Sequence, residues 1–134
     1  ATEINAARKC YSVAQWTPCV FHLMRASEAG IKAIFRTLDV SSPNLSDSWG
    51  ELLKPMDKQL SLPVRDRHGD WASSPEFFYH AVNDTRAIKR AWRDPTMHIE
   101  SDYDEAGALK ALDAVTGFFS TLATKLDQDG KFYP

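Results

Sequence analysis

"VFHLMRASEAGIKAIFRTL", residues 20–38, sets Val20, Met24, Ser27, Ile31, Ile34 and Leu38 at steps of four, three, four, three and four. A helix turns once every 3.6 residues, so these steps keep one stripe pointing in one direction. A stripe this long predicts a helix buried along its whole length against other helices. A half-buried strand would need sustained alternation of apolar and polar residues, and no stretch of the chain supplies it.

Toward the N-terminus, Ile4, Ala7, Tyr11 and Ala14 follow the same steps and predict a first helix ending near Trp16. Thr17 then reads as a cap with Pro18 at the first helical position, where a missing N–H costs nothing. Toward the C-terminus, DVSSPNLSD is a polar connection, and Ser48 with Glu51 forms a capping-box pattern for a shorter helix through about Leu60, bent at Pro55. SLPVRDRHGDWASS, residues 61–74, mixes proline, glycine and charge, and reads as a long surface loop. A fourth helix starts at Pro75 with Ser74 as its cap and aligns Phe77, Phe78, Ala81, Thr85, Ile88 and Trp92. It should stop near Asp94, because the residue before Pro95 is pushed out of helical geometry. A last helix, capped by Ser101 or Asp102, sets Leu109, Leu112, Val115, Phe119, Leu122 and Leu126 on a stripe. The expected fold is all-α: an antiparallel bundle of four long helices plus one short helix.

The 134 residues, 43% of them apolar, fit one domain spanning 1–134. The opening ATEINAARKC has neither a methionine nor a charged-then-apolar leader, so the reading allows for a piece of a longer protein. Sixteen basic and eighteen acidic residues leave a formal charge of −2, so any polyanion site must be a local basic patch. With only Cys10 and Cys19, and no apolar run near the ~20 residues of a membrane span, the chain reads as soluble and cytoplasmic, without disulfide staples.

Such a patch exists on the fourth helix. Arg86, Lys89, Arg90 and Arg93 fall within an arc of roughly 100° on a helical wheel. Two readings stand open: a solvated face paired with acidic neighbours, or a track that carries the phosphates of an RNA. The ridge ends in AWRDPTMH, residues 91–98. On an unbroken helix Arg93 and His98 would point roughly 140° apart. A break at Pro95 lets the backbone turn and bring the two together. A guanidinium that grips phosphate oxygens beside an imidazole that titrates near neutrality can cleave RNA without metal. The histidine takes the proton of a ribose 2′-hydroxyl, and the arginine stabilises charge building on the phosphorane.

Arg93-Asp94-Pro95-Thr96-Met97-His98 resembles the arginine, four-to-six residues, histidine signature of the HEPN superfamily, in which a polar residue, here Asp94, commonly follows the arginine. The second helix adds Glu28-Ala29-Gly30-Ile31-Lys32-Ala33, similar to the glutamate-then-lysine-alanine pattern of many members. The resemblance implies a helical-bundle homodimer in which the arginine and histidine of both subunits meet in one cleft. It also implies metal-independent endoribonuclease activity of a toxin–antitoxin, phage-defence or RNA-processing kind, with an antitoxin or nucleotidyltransferase as a further partner. Other members are catalytically silent binding or assembly modules for a protein or nucleotide. No cofactor is expected.

Other titratable residues have simpler readings. Cys19 and His22 lie three apart but lack a second pair, so no metal site is expected and both read as helix packing. His80 and Asp84, four apart, suggest a surface hydrogen bond, and His68 beside Arg65 and Arg67 suggests solvated loop charge. Glu100, Asp102, Asp104 and Glu105 coincide with the start of the last helix, where carboxylates satisfy exposed amides. Trp16, Trp49, Trp71 and Trp92 read as packing and interface residues.

Overall fold

The computed structural model describes residues 2–38, 48–94 and 102–133. Over these the chain is all-α. Helix α1 spans Thr2–Ser12, α2 Trp16–Arg36 and α3 Trp49–Ser61. A 3₁₀ turn at Val64–Asp66 and a one-turn helix α4 at Asp70–Ser73 lead into α5, Pro75–Ile88, which continues as a π-helical turn over Lys89–Arg93. Helix α6 spans Glu105–Leu122. Among the described residues no β-strand forms, and Leu126 and Phe132 make one isolated antiparallel bridge.

The stripe on α2 is buried at every position read from the sequence, from Val20 to Leu38. Helix α2 packs most extensively on α1 and α6, while α5 lies against α6 and α3. Ser27, the polar member of the stripe, returns its hydroxyl to the Leu23 carbonyl at 2.9 Å, so its burial leaves no donor unpaired. Thr85 does the same on α5 with the Ala81 carbonyl.

Several boundaries and faces differ from expectation. Helix α1 ends at Ser12 because Ala14 adopts φ +61°, a left-handed turn that no helix continues through. Helix α2 then opens at Trp16, so Thr17 is already helical, and its hydroxyl accepts from the Tyr103 backbone N–H instead of capping. On α6 the cap is Asp104, whose carboxylate accepts from Gly107 N at 2.7 Å, and not Asp102; Ser101 lies outside the described residues.

The buried face of α6 is Ala108, Ala111, Val115, Phe118 and Leu122, rotated from the expected stripe. Leu109 is 41% exposed, and Leu112 and Phe119 are half-buried. The small residue at the close approach is on α2: a Cβ on Gly30 would lie 2.8 Å from Phe118 Cε2 and 2.9 Å from Leu122 Cδ1, so glycine there makes room for the large side chains of α6. Ser48 caps α3 as expected, accepting from Glu51 N at 3.3 Å, and Pro55 is accommodated inside that helix.

The segment expected as a surface loop contributes to the core. Trp71 is fully buried, donates its indole N–H to the Thr37 hydroxyl at 2.9 Å and stacks on Phe78 with ring centroids 4.1 Å apart. Phe132 stacks on Phe78 in turn at 5.6 Å, and so fastens the C-terminal segment to α5. Arg67 holds the loop by donating to the Leu62 and Leu60 carbonyls.

Candidate nucleic-acid interface

The basic ridge stands at the end of α5, where the winding changes. The hydrogen bond from Asp94 N to Lys89 O closes a π turn, which rotates each residue less than an α turn does. Residues five apart on an α-helix point about 140° from each other, yet Lys89 Nζ reaches Asp94 Oδ2 at 3.0 Å. The wider turn makes that pair possible. The four cations consequently differ in environment, although the sequence placed them on one arc.

Arg86 is half-buried and gives both terminal nitrogens to the two carboxylate oxygens of Asp57 on α3. That hydrogen bond, the largest influence, raises the pKa of Arg86, so the guanidinium stays charged. Arg90 is exposed, and no ion pair engages it among the described residues. Arg93 is half-buried, with its guanidinium carbon 5.7 Å from the Trp49 ring centroid. Trp49 opens α3 and is buried, and its indole N–H finds no hydrogen-bond partner among the described residues. A cation held over a ring keeps its in-plane N–H donors open, so Arg93 remains equipped to grip an anion.

Between α3 and α5 these side chains border an open groove of about 290 Å³, with Gly50 and Leu53 on the α3 side and Arg86, Lys89 and Arg90 on the other. Asp57 and Asp94 also line it. Arg86, Lys89 and Arg90 are thus brought together, while Arg93 is not among the groove's lining residues and lies over Trp49. Pro95 and His98 lie outside the described residues, as does Glu100. Asp57 and Trp49 are the residues the sequence did not single out for this site; Asp57 stands 29 positions from Arg86. No local pattern announces a partner at that distance.

The remaining candidates resolve into packing. Cys19 is buried, and desolvation pushes its thiol pKa up, away from nucleophilic character. His22 Nδ1 lies 2.7 Å from Glu3 Oε2, and that hydrogen bond is the main cause of a lowered Glu3 pKa. Glu28 and Lys32 form an ion pair at 3.5 Å across one turn. Asp84 faces a groove bordered by Trp92, Asp113 and Thr121; burial raises its pKa, opposed by the charge of His80 and a Thr121 hydrogen bond. His80 itself sits edge-on to the Tyr79 ring at 5.7 Å. His68 is exposed, and its backbone N–H is tied to Gln59.

Among the described residues no group of three histidine, cysteine or carboxylate side chains is placed to hold a metal ion, and no helix is long and apolar enough to cross a membrane. Family models, characterised proteins and solved structures were each compared with the chain, and none matches.

Proposed function

We propose that this chain is an RNA-binding domain of HEPN-like type, a metal-independent endoribonuclease acting through Arg93 and His98. In this reading the helices form an antiparallel bundle of four long helices and one short one. Two copies pair in the cytoplasm so that their motifs meet in one cleft. RNA is the substrate, and an antitoxin or nucleotidyltransferase chain is a further partner. The observation that carries the reading is Arg93, held over Trp49 on the same turn as Lys89 and Arg90, which line a groove together with Arg86. Its donors stay available to phosphate, and His98 follows five residues later.

The chemistry asks little more of the protein. His98 accepts the proton of a 2′-hydroxyl, the 2′-oxygen attacks the adjacent phosphorus, and the 5′-oxygen of the next nucleotide leaves. Arg93 stabilises the negative charge on the phosphorane, and a 2′,3′-cyclic phosphate remains. The test is a ribonuclease assay in the presence of chelator. Wild type cleaves, His98→Ala loses on the order of 10²- to 10⁴-fold, and Arg93→Lys loses activity because lysine keeps the charge without the planar fork. Activity retained by both variants overturns the reading, as does a monomer in light scattering at micromolar concentration for the shared cleft.

A second reading has its own support. Two of the four ridge cations, Arg86 and Lys89, are engaged by carboxylates, as on a face built for solvent. A silent binding or assembly module for a partner protein or nucleotide would show partner or RNA binding with no cleavage by wild type under any metal condition.

A further inference from the structure

We propose that the groove between α3 and α5 is a phosphate-binding site occupied at rest by the chain's own carboxylates, Asp57 and Asp94, which an incoming RNA phosphate displaces. The inference rests on the RNA reading above and adds to it how access to the ridge is regulated. Asp57 takes both terminal nitrogens of Arg86, the two-point geometry that a guanidinium otherwise gives to a phosphate. Asp94 fills the same role on Lys89 at 3.0 Å. Both carboxylates line one groove with their cations and with Arg90, so they stand where the oxygens of a backbone phosphate would stand.

The pairs are accessible enough to exchange. Side-chain exposures are 38% and 44% for Arg86 and Asp57, and 30% and 54% for Lys89 and Asp94. Ion pairs this open to water hold weakly, and a phosphate oxygen replaces a carboxylate oxygen without stranding either charge. The opposite wall leaves room: a Cβ on Gly50 would meet nothing closer than Ser48 Oγ at 3.8 Å. Arg90, without an ion-pair partner among the described residues, supplies the first attraction for the polyanion.

The experiment uses the whole chain with Asp57→Asn, Asp94→Asn and the double variant, each checked for an unchanged melting profile. Asp113→Asn, on the far groove beside α6, removes the same charge away from the site. Binding is read by anisotropy with a labelled 2′-O-methyl single-stranded RNA, which cannot be cleaved, across a salt series, and with inorganic pyrophosphate by calorimetry. Each single groove variant should bind RNA up to about fivefold more tightly, the conversion of an exposed pair's ~1 kcal/mol at 1.4 kcal/mol per decade, and the double variant more tightly than either single one. The salt dependence should steepen by about 0.7 log unit for each additional phosphate that the freed cations engage. Asp113→Asn should stay near wild type. Tightening equal to that of Asp113→Asn would mean bulk charge alone and overturns the proposal, as does unchanged affinity for both probes. Tighter pyrophosphate binding with no RNA binding by any form would keep the carboxylate-held phosphate site and reject the RNA reading instead.

Discussion

The seam between α2 and α6 and the rim between α3 and α5 are both places where helices meet, but they are built in opposite ways. At the seam, Gly30 admits Phe118 and Leu122 close against its backbone, and the surrounding residues are buried and apolar. At the rim, α3 and α5 meet through the half-exposed Asp57–Arg86 ion pair, and an arginine from the π-wound turn lies over a tryptophan of α3. The seam's geometry is fixed by volume, since a close-packed interior leaves no alternative arrangement at similar energy. The rim's geometry is fixed by exchangeable partners. Stability should therefore be concentrated at the seam, and chemistry at the rim.

The largest effect expected from that contrast is Phe118→Ala, which empties a fully buried site and should cost about 3–5 kcal/mol by chemical denaturation. A cost near 1 kcal/mol would show that the seam collapses easily and is no tighter than the rim. Gly30→Val comes next. Its Cβ would start below 3.0 Å from two buried side chains, and overpacking of this kind should cost about 1–3 kcal/mol, in excess of any gain in helix propensity. An unchanged melting temperature would mean that Phe118 and Leu122 move aside freely.

Trp71→Phe sharpens the comparison at the loop. It keeps an aromatic ring against Phe78 but removes the donor to Thr37, so a loss of about 1 kcal/mol, the usual worth of one hydrogen bond, is expected in the same assay. Asp57→Asn at the rim should change stability least, by roughly 0–1 kcal/mol, because its ion pair is open to solvent. A cost above about 2 kcal/mol, well outside that range, would erase the distinction between seam and rim.

Acid behaviour gives the most specific signal. Burial raises the Asp84 pKa, so the folded state favours the protonated form. Whatever stability this group contributes is full below its unfolded pKa and is lost as pH rises through the higher folded value. Glu3, with a lowered pKa, acts in the opposite sense: its contribution is present above the unfolded pKa and lost as pH falls through the folded one. Melting curves should show Asp84→Asn gaining on wild type as pH rises above the ordinary aspartate value, and Glu3→Gln losing on it within the more acidic range, as pH rises toward the ordinary glutamate value. Parallel curves for wild type and Asp84→Asn would place Asp84 in water.

Much of the fold was legible because repetition along a helix is a local property. The buried stripe of α2, the Ser48 cap and the buried run from Phe77 to Ile88 follow from spacing alone. The α6 face differs from expectation because leucines outweigh alanines in any apolar pattern, whereas the helix buries Ala108 and Ala111 and seats Phe118 and Leu122 against Gly30. The surface loop was misread for a related reason: Trp71 sits among polar and turn residues, and its burial depends on Thr37, far away in sequence, and on Phe78 in the next helix.

At the candidate site the sequence alone determined that four cations share the end of one helix, the last of them opening an arginine–histidine motif, because helical spacing and residue order are readable residue by residue. The tertiary structure decided which of those cations are engaged. Asp57 reaches Arg86 from another helix, Trp49 lies against Arg93 from the start of that same helix, and a π turn carries Lys89 to Asp94 against the angle that α winding would impose. Each of these depends on where a second element lies in space or on a departure from regular winding, and neither leaves a periodic mark in the order of the residues.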